Sequence, residues 1–246
     1  CWQLKGALIA AVSYQSVMLF VTLWMLRDTP WLRRSNFSGR FSRAIAVKYS
    51  KFTLMTLTSA LTLPIVQMLL RGYVMTEISP IEAGWWEGMQ RISNMYLMVI
   101  TTSFSVYYLP RLSEITDRNE LRREIMKAYK VIVPMLLAGF TLIYFLRFVI
   151  IRLLFTQEFL PMSQLFLWQM AGDFFKIASW LLAYLMVAKA MTKMFISTEI
   201  IFSATYLGLG LLFVHFNGIA GLCQGYLVNY IMYMLLMIVF FKKVIG

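Results

Sequence analysis

A single histidine, His215, and two cysteines, Cys1 and Cys223, leave the sequence without the clustered ligands that metal or thiol chemistry needs. No Gly-rich phosphate loop and no nucleophile elbow appears, so ATP hydrolysis by this chain and serine-type catalysis both lack a motif. The sequence calls for no cofactor. Charge is scarce as well, at 14% of 246 residues against about 25% in globular domains. Acidic residues are the scarcest part of that, with 11 Asp and Glu against 23 Lys and Arg. A net charge of +12 would suit nucleic acid only on a solvated basic face, and here the basic residues stand between apolar runs, which excludes a nucleic-acid partner.

What is present is hydrophobicity, 60% of the chain. Seven apolar segments, roughly 2–26, 50–75, 84–108, 131–155, 163–188, 194–214 and 219–241, approach or exceed the length that crosses a bilayer. They are continuous rather than alternating, so they are read as helices and the chain as an all-α polytopic membrane protein. The connections alternate in charge. Residues 27–49 carry Arg27, Arg33, Arg34, Arg40, Arg43 and Lys48, residues 109–130 are rich in Arg and Lys, 189–193 holds Lys189 and Lys193, and the tail 242–246 has Lys242 and Lys243. Between them, 76–83 has Glu77 and Glu82, 156–162 has Glu158, and 215–218 is a short turn. The positive-inside rule then puts the basic set and the C-terminus in the cytoplasm. Lys5, Arg71, Arg147 and Arg152 fall near the outer side against this bias. In 109–130, Asp117 and Glu120 resemble a capping box, and Leu121, Ile125, Met126 and Tyr129 mark an apolar face, which predicts an amphipathic helix on the inner membrane surface. The chain does not begin with Met, and an odd number of spans entering from outside predicts a longer protein. In that protein 1–26 is the last helix of an N-terminal lobe, 27–49 a cytoplasmic interlobe loop and 50–241 a six-helix lobe.

Polar residues recur inside these segments at helical spacing. Glu87, Arg91, Asn94, Met98, Thr101 and Ser105 share a face, as do Thr56, Ser59, Leu63, Gln67 and Arg71, with Pro64 placed to kink or break that helix. Gln169, Asp173 and Lys176 form a third stripe, and Glu199, Ser203, Tyr206 and Gly210 a fourth. One polar stripe is compatible with helix packing alone; four in one bundle predict a polar cavity. Gly218, Gly221 and Gly225 read as a close helix interface, and Trp85 and Trp86 as an outer aromatic belt.

The runs "SKFTLMTLTSALTLPIVQMLLR", "SFSVYYLPRLSEITDRNELRREI", "LFLWQMAGDFFKIASWLLAYLMVAKA" and "FISTEIIF" resemble the C-terminal half of Wzx-type flippases, which serve O-antigen and the lipid III of enterobacterial common antigen. These belong to the multidrug/oligosaccharidyl-lipid/polysaccharide exporter superfamily, and the resemblance covers about 48–242. It implies the C-terminal six-helix lobe of a two-lobe alternating-access transporter in a Gram-negative inner membrane. Such a protein moves an undecaprenyl-diphosphate-linked oligosaccharide from the cytoplasmic to the periplasmic leaflet. The implied partners are membrane lipid, that glycolipid, the N-terminal lobe, and polysaccharide polymerase and chain-length proteins.

Asp173 and Lys176 occupy the family's Asp-x-x-Lys motif, and Arg71 and Arg147 match basic positions, whereas Asn94 replaces an acidic residue. The cavity candidates are therefore Arg71, Arg91, Asn94, Gln67, Glu87 and Arg147, with Arg71 and Arg91 facing the diphosphate. Asp173, Lys176 and Glu199 are the coupling candidates, Asp173 and Lys176 as an ion pair that protonation or cation binding would open. Two alternatives compete. A cation-coupled multidrug exporter would prefer a less basic cavity, and a membrane glycan-modifying acyltransferase would have only His215 as its catalytic base.

Overall fold

The computed structural model describes residues 3–27, 29 and 42–245, which divide into two units, Cys1–Lys48 and Tyr49–Gly246. Within the first unit lies α1, Gln3–Leu26, whose apolar side chains, Phe20, Trp24 and Met25 among them, are exposed. A helix with apolar side chains on every side suits a bilayer or the interior of a larger protein. Most of the expected basic loop over 27–49 lies outside the described residues. α2, Arg43–Glu77, is already helical from Arg43, and Pro64 does not break it.

α3, Pro80–Ser103, starts where its sequence asks for a start. Ser79 accepts a hydrogen bond from the Ile81 amide at 3.2 Å, Pro80 occupies the first turn, and Glu82 follows near the positive end of the helix dipole. A one-turn π-helix, Phe104–Tyr108, joins α3 to α4, Leu109–Glu114. After a turn, α5 runs over Arg118–Leu154, capped by Asp117, whose carboxylate accepts from the Glu120 amide at 2.8 Å.

This corrects the reading of 109–130. The capped start at Asp117 and the apolar face are present, but the helix is not a separate one: it runs on as α5 to Leu154 and forms a hairpin with α4. Leu121 and Ile125 bury themselves beside Leu112 and Ile115, Tyr129 donates to the Ala178 carbonyl at 2.6 Å, and the charges pair with one another. Arg111 lies 2.9 Å from Glu120 and 3.9 Å from Glu114. Lys189 donates to the Ile115 carbonyl at 2.6 Å, closing the end of α4 with a charge complementary to its dipole.

A 3-10 helix, Gln157–Leu165, leads into α6, Phe166–Ala188, and the chain finishes with α7, Thr192–Asn217, and α8, Ile219–Ile245. Each of the seven expected segments thus lies on a long helix. Among the described residues there is no strand, and five stretches are long and apolar enough to cross a membrane: Ile45–Glu77, Arg118–Leu154, Gln157–Ala188, Thr192–Asn217 and Ile219–Lys242. α3 is as long as α1 but carries Glu82, Glu87 and Arg91 along its first half.

α6 is the central helix of the second unit, packed chiefly on α8, which in turn packs on α7. Glycine sets these distances. A methyl group on Gly221 would sit 2.1 Å from the Phe213 carbonyl oxygen, and one on Gly225 would sit 2.9 Å from that of Leu209, so α7 and α8 touch backbone to backbone. Gly218 turns the chain between them at φ +56 and ψ −146, a conformation that favours glycine. Trp86 departs from the belt reading, since it is fully buried in the core with Val66, Met89 and Met162. Trp85 is half-buried and donates to the Glu158 carbonyl at 2.9 Å.

Candidate functional site

Part of each of the four polar stripes meets at a cavity of about 610 Å3 inside the second unit. α3 contributes Asn94, Met98 and Thr101, and Ser105 follows from the π-helix. α2 presents Ser59 and Leu63, α6 Lys176, and α7 Glu199, Ser203 and Tyr206. α8 adds Asn229, Tyr230 and Tyr233, which no stripe had announced. The period visible in the sequence is therefore that of a shared wall.

Asp173, three residues before Lys176, stays behind that wall. It is fully buried, and its carboxylate accepts from Ser93 Oγ at 2.7 Å, Tyr226 Oη at 2.7 Å, Tyr96 Oη, and Gln169 Nε2 at 3.4 Å. Gln169 is itself oriented by Gln90, whose amide donates to Oε1 at 3.1 Å. A carboxylate offers about four lone-pair sites, and donors from α3, α6 and α8 fill them. This cross-links three helices through one side chain.

Lys176 is turned away from this network. Among the described residues no carboxylate lies within 4.0 Å of its ammonium, so the expected Asp173–Lys176 salt bridge is not formed; Asp173 and Glu199 act on it only at longer range. Its Nζ lies 5.2 Å from the Trp180 ring centroid, 5.4 Å from that of Tyr226 and 5.2 Å from that of Tyr230. Those are cation–π distances. Tyr226 serves both groups, with its hydroxyl on Asp173 and its ring on Lys176. Gly172 makes room for that ring, since a methyl group there would sit 2.4 Å from Tyr226 Cδ1. The Asp-x-x-Lys spacing thus puts an anchor and a cation on successive turns, joined through a tyrosine of another helix.

Glu199 faces the same cavity, with Ser59 and Thr62 of α2 among its polar neighbours. Of the other candidates, Asn94 alone lines the cavity. Arg71 and Arg91 bracket Glu87 at 3.5 and 3.6 Å, with both guanidinium side chains more than half exposed. They stand beyond the cavity lining, as does half-buried Gln67. Arg147 donates to the Tyr144 carbonyl at 2.7 Å and stacks on Tyr144 and Phe148, all on its own helix. His215 is exposed at the end of α7 beside Phe216.

Ser93, Tyr96, Tyr226, Tyr230 and Trp180 were absent from the sequence candidates. A signal existed for some of them. Tyr226, Tyr230 and Tyr233 recur at four and three residues, and Ser93 and Tyr96 at three, on faces adjoining the charged stripes.

The chain is similar to two curated proteins, lipid III flippase of Escherichia coli (strain K12) and lipid III flippase of Shigella flexneri. Each is 33% identical over 233 residues, which is 93% of this chain and 55% of the relative. The chain therefore spans about half the length of the curated relatives it matches. No family model and no solved structure matches it.

Proposed function

We propose that the chain forms a lobe of a transporter that moves lipid-linked oligosaccharide across a membrane, as opposed to an enzyme that modifies it. The observation that carries the reading is the cavity lined by polar and aromatic side chains of long helices, in a chain similar to lipid III flippases over nearly its whole extent. A cavity of about 610 Å3 falls within the range of small-molecule sites and holds a headgroup portion; a polyprenyl tail would stay in the lipid. In this reading the substrate is an undecaprenyl-diphosphate-linked unit of the O-antigen or enterobacterial common antigen type. It moves from the cytoplasmic to the periplasmic leaflet of a Gram-negative inner membrane, with the C-terminus in the cytoplasm.

The residues take distinct parts. Arg71 and Arg91, tied through Glu87 with Gln67 one turn below Arg71, offer guanidinium donors to a diphosphate at the outer end. Asn94 lines the path, and Glu199 with Lys176, opposite charges on one cavity, are the coupling groups. Asp173 supports Lys176 from behind. Arg147, held by its own helix, anchors α5. The multidrug-exporter alternative is weakened by Lys176, a cation on the wall that such a drug would meet. The remaining length of the relatives leaves room for a second lobe, and polymerase and chain-length proteins would act on what is delivered.

The test is complementation. Cells deleted for a lipid III flippase gene receive the complete gene carrying this chain, and the leaflet holding the glycolipid is read with a membrane-impermeant glycan reagent. Recovery of periplasmic glycolipid supports the reading. Cytoplasmic accumulation that persists beside well-expressed protein contradicts it, and altered glycan structure would move the protein to the enzyme class.

A further inference from the structure

We infer that the first turns of α5, residues 118–130, form a binding surface for acidic phospholipid headgroups. The starting point is charge without a counter-charge. Arg118, Arg122, Arg123, Lys127 and Lys130 are all exposed, and among the described residues only Lys127 has an acid within ion-pair distance, Glu124 at 4.0 Å. The acids of the hairpin are committed elsewhere: Glu114, Glu120 and Glu124 gather around Arg111 of α4, and Asp117 caps the helix. Arg118 and Arg122, like Arg123 and Lys127, stand one turn apart, where like charges destabilise a helix in water. An external anion removes that repulsion.

The length and patterning of the helix specify a lipid. α5 has 37 residues and so runs about 55 Å, well beyond the ~30 Å of a hydrocarbon core, which leaves turns at its ends for the headgroup layers. Arg123, Lys127, Lys130, Pro134 and Leu137 recur at steps of four and three and are all exposed, and Phe145 lies on the same side two turns further on. One side of the helix therefore changes from basic to apolar just past Lys130. Met126, 50% exposed, stands one turn from Arg122, Arg123 and Lys130, so apolar surface also lies inside the basic band. A soluble anion or an acidic protein segment has no use for that apolar shoulder. A phosphate ester with acyl chains meets both, its phosphate on the guanidinium and ammonium groups and its chains along Leu137 and Phe145.

The surface lies where α4 meets the end of α6 through Lys189, which is the cytoplasmic end in the proposed orientation. Its ligand is the bulk lipid of that leaflet, distinct from any transported glycolipid. The inference goes beyond the transport reading and needs only that α5 spans a bilayer.

The complete protein carrying this chain, in non-ionic detergent, is titrated with dioctanoyl phosphatidylglycerol, dioctanoyl phosphatidylcholine and inorganic pyrophosphate, and bound ligand is counted by native mass spectrometry. Phosphatidylglycerol should bind at least about ten-fold more tightly than phosphatidylcholine. Arg122→Gln combined with Arg123→Gln should weaken phosphatidylglycerol about five-fold or more and leave phosphatidylcholine unchanged. Lys193→Gln combined with Lys242→Gln removes the same charge from exposed positions on α7 and α8, and should change neither lipid by more than about two-fold. Equal binding of the two lipids, an arginine variant with unchanged preference, or an equal loss in the lysine variant would each overturn the inference. So would arginine-dependent binding of pyrophosphate as tight as that of phosphatidylglycerol, or arginine-dependent capture of polyglutamate in place of the lipid. The comparison of lipids uses the unmutated protein, so a variant that fails to fold does not protect the idea. A protein that fails in leaflet transport yet shows this preference would overturn the transport reading alone.

Discussion

Tyr226 has the most to lose at the scale of single residues, because its hydroxyl and its ring do different work. Replacing it with Phe keeps the ring but leaves a buried carboxylate oxygen of Asp173 short of a donor, a loss of about 1–3 kcal/mol. The unfolding temperature in detergent should fall accordingly; an unchanged temperature would mean that the bond contributes nothing. Gly172→Ala attacks the same ring sterically. With only 2.4 Å between the new methyl and Tyr226 Cδ1, the ring must move, costing about 1–3 kcal/mol and disturbing both Asp173 and Lys176. Normal stability together with normal transport in that variant would show that the ring position is not needed.

These two variants also mark where the sequence stops being informative. Asp173 and Lys176 are one turn apart, which makes a salt bridge the natural expectation. Local spacing cannot register hydroxyls arriving from other helices, and Ser93, Tyr96 and Tyr226 take the carboxylate first. Asn94, Lys176 and Glu199 were legible as cavity residues because a polar face in a membrane helix has few places to point. Arg71 and Arg91 carried the same stripe signal but lie past the cavity, since periodicity fixes a face and leaves depth along it open.

At the scale of elements, charge content misled where apolar runs did not. The basic and acidic residues of 109–130 suggested a separate amphipathic helix, yet they belong to α4 and to the start of the long α5, paired across a short turn. Lys189 ties that hairpin to the end of α6. Lys189→Gln should loosen the clasp, with faster amide hydrogen exchange over 113–121 and little change in α7 or α8. Exchange unchanged in the hairpin would contradict that role. The interface of α7 with α8 is stiffer, because backbone meets backbone there. Gly221→Ala places a methyl 2.1 Å from a carbonyl oxygen that cannot rotate away, so the helices must separate. We expect a loss of about 3 kcal/mol or more and poor yield of folded protein. A stable Gly221→Ala protein would require α7 and α8 to be farther apart than described.

At the scale of the whole molecule, the helices, the cavity and the likeness to lipid III flippases support the proposed arrangement, a helical lobe with polar residues turned toward a cavity and apolar faces toward the bilayer. Most of that was readable in advance, since length, hydrophobicity and period are properties of single segments. The assignment of donors to acceptors was not, because it depends on which helices touch. The central claim is that substrate passes through the cavity that Lys176 and Glu199 face. Asn94 lines it and is exposed, so a large side chain there fills space without displacing buried core. The deciding measurement is the leaflet distribution of the lipid-linked oligosaccharide in cells deleted for lipid III flippase and supplied with the complete protein carrying Asn94→Trp. The comparison is the same protein carrying Arg147→Gln, a change away from the cavity. Cytoplasmic accumulation with Asn94→Trp, normal distribution with Arg147→Gln, and equal amounts of folded protein are the predicted result. Normal distribution with the cavity filled would contradict the account.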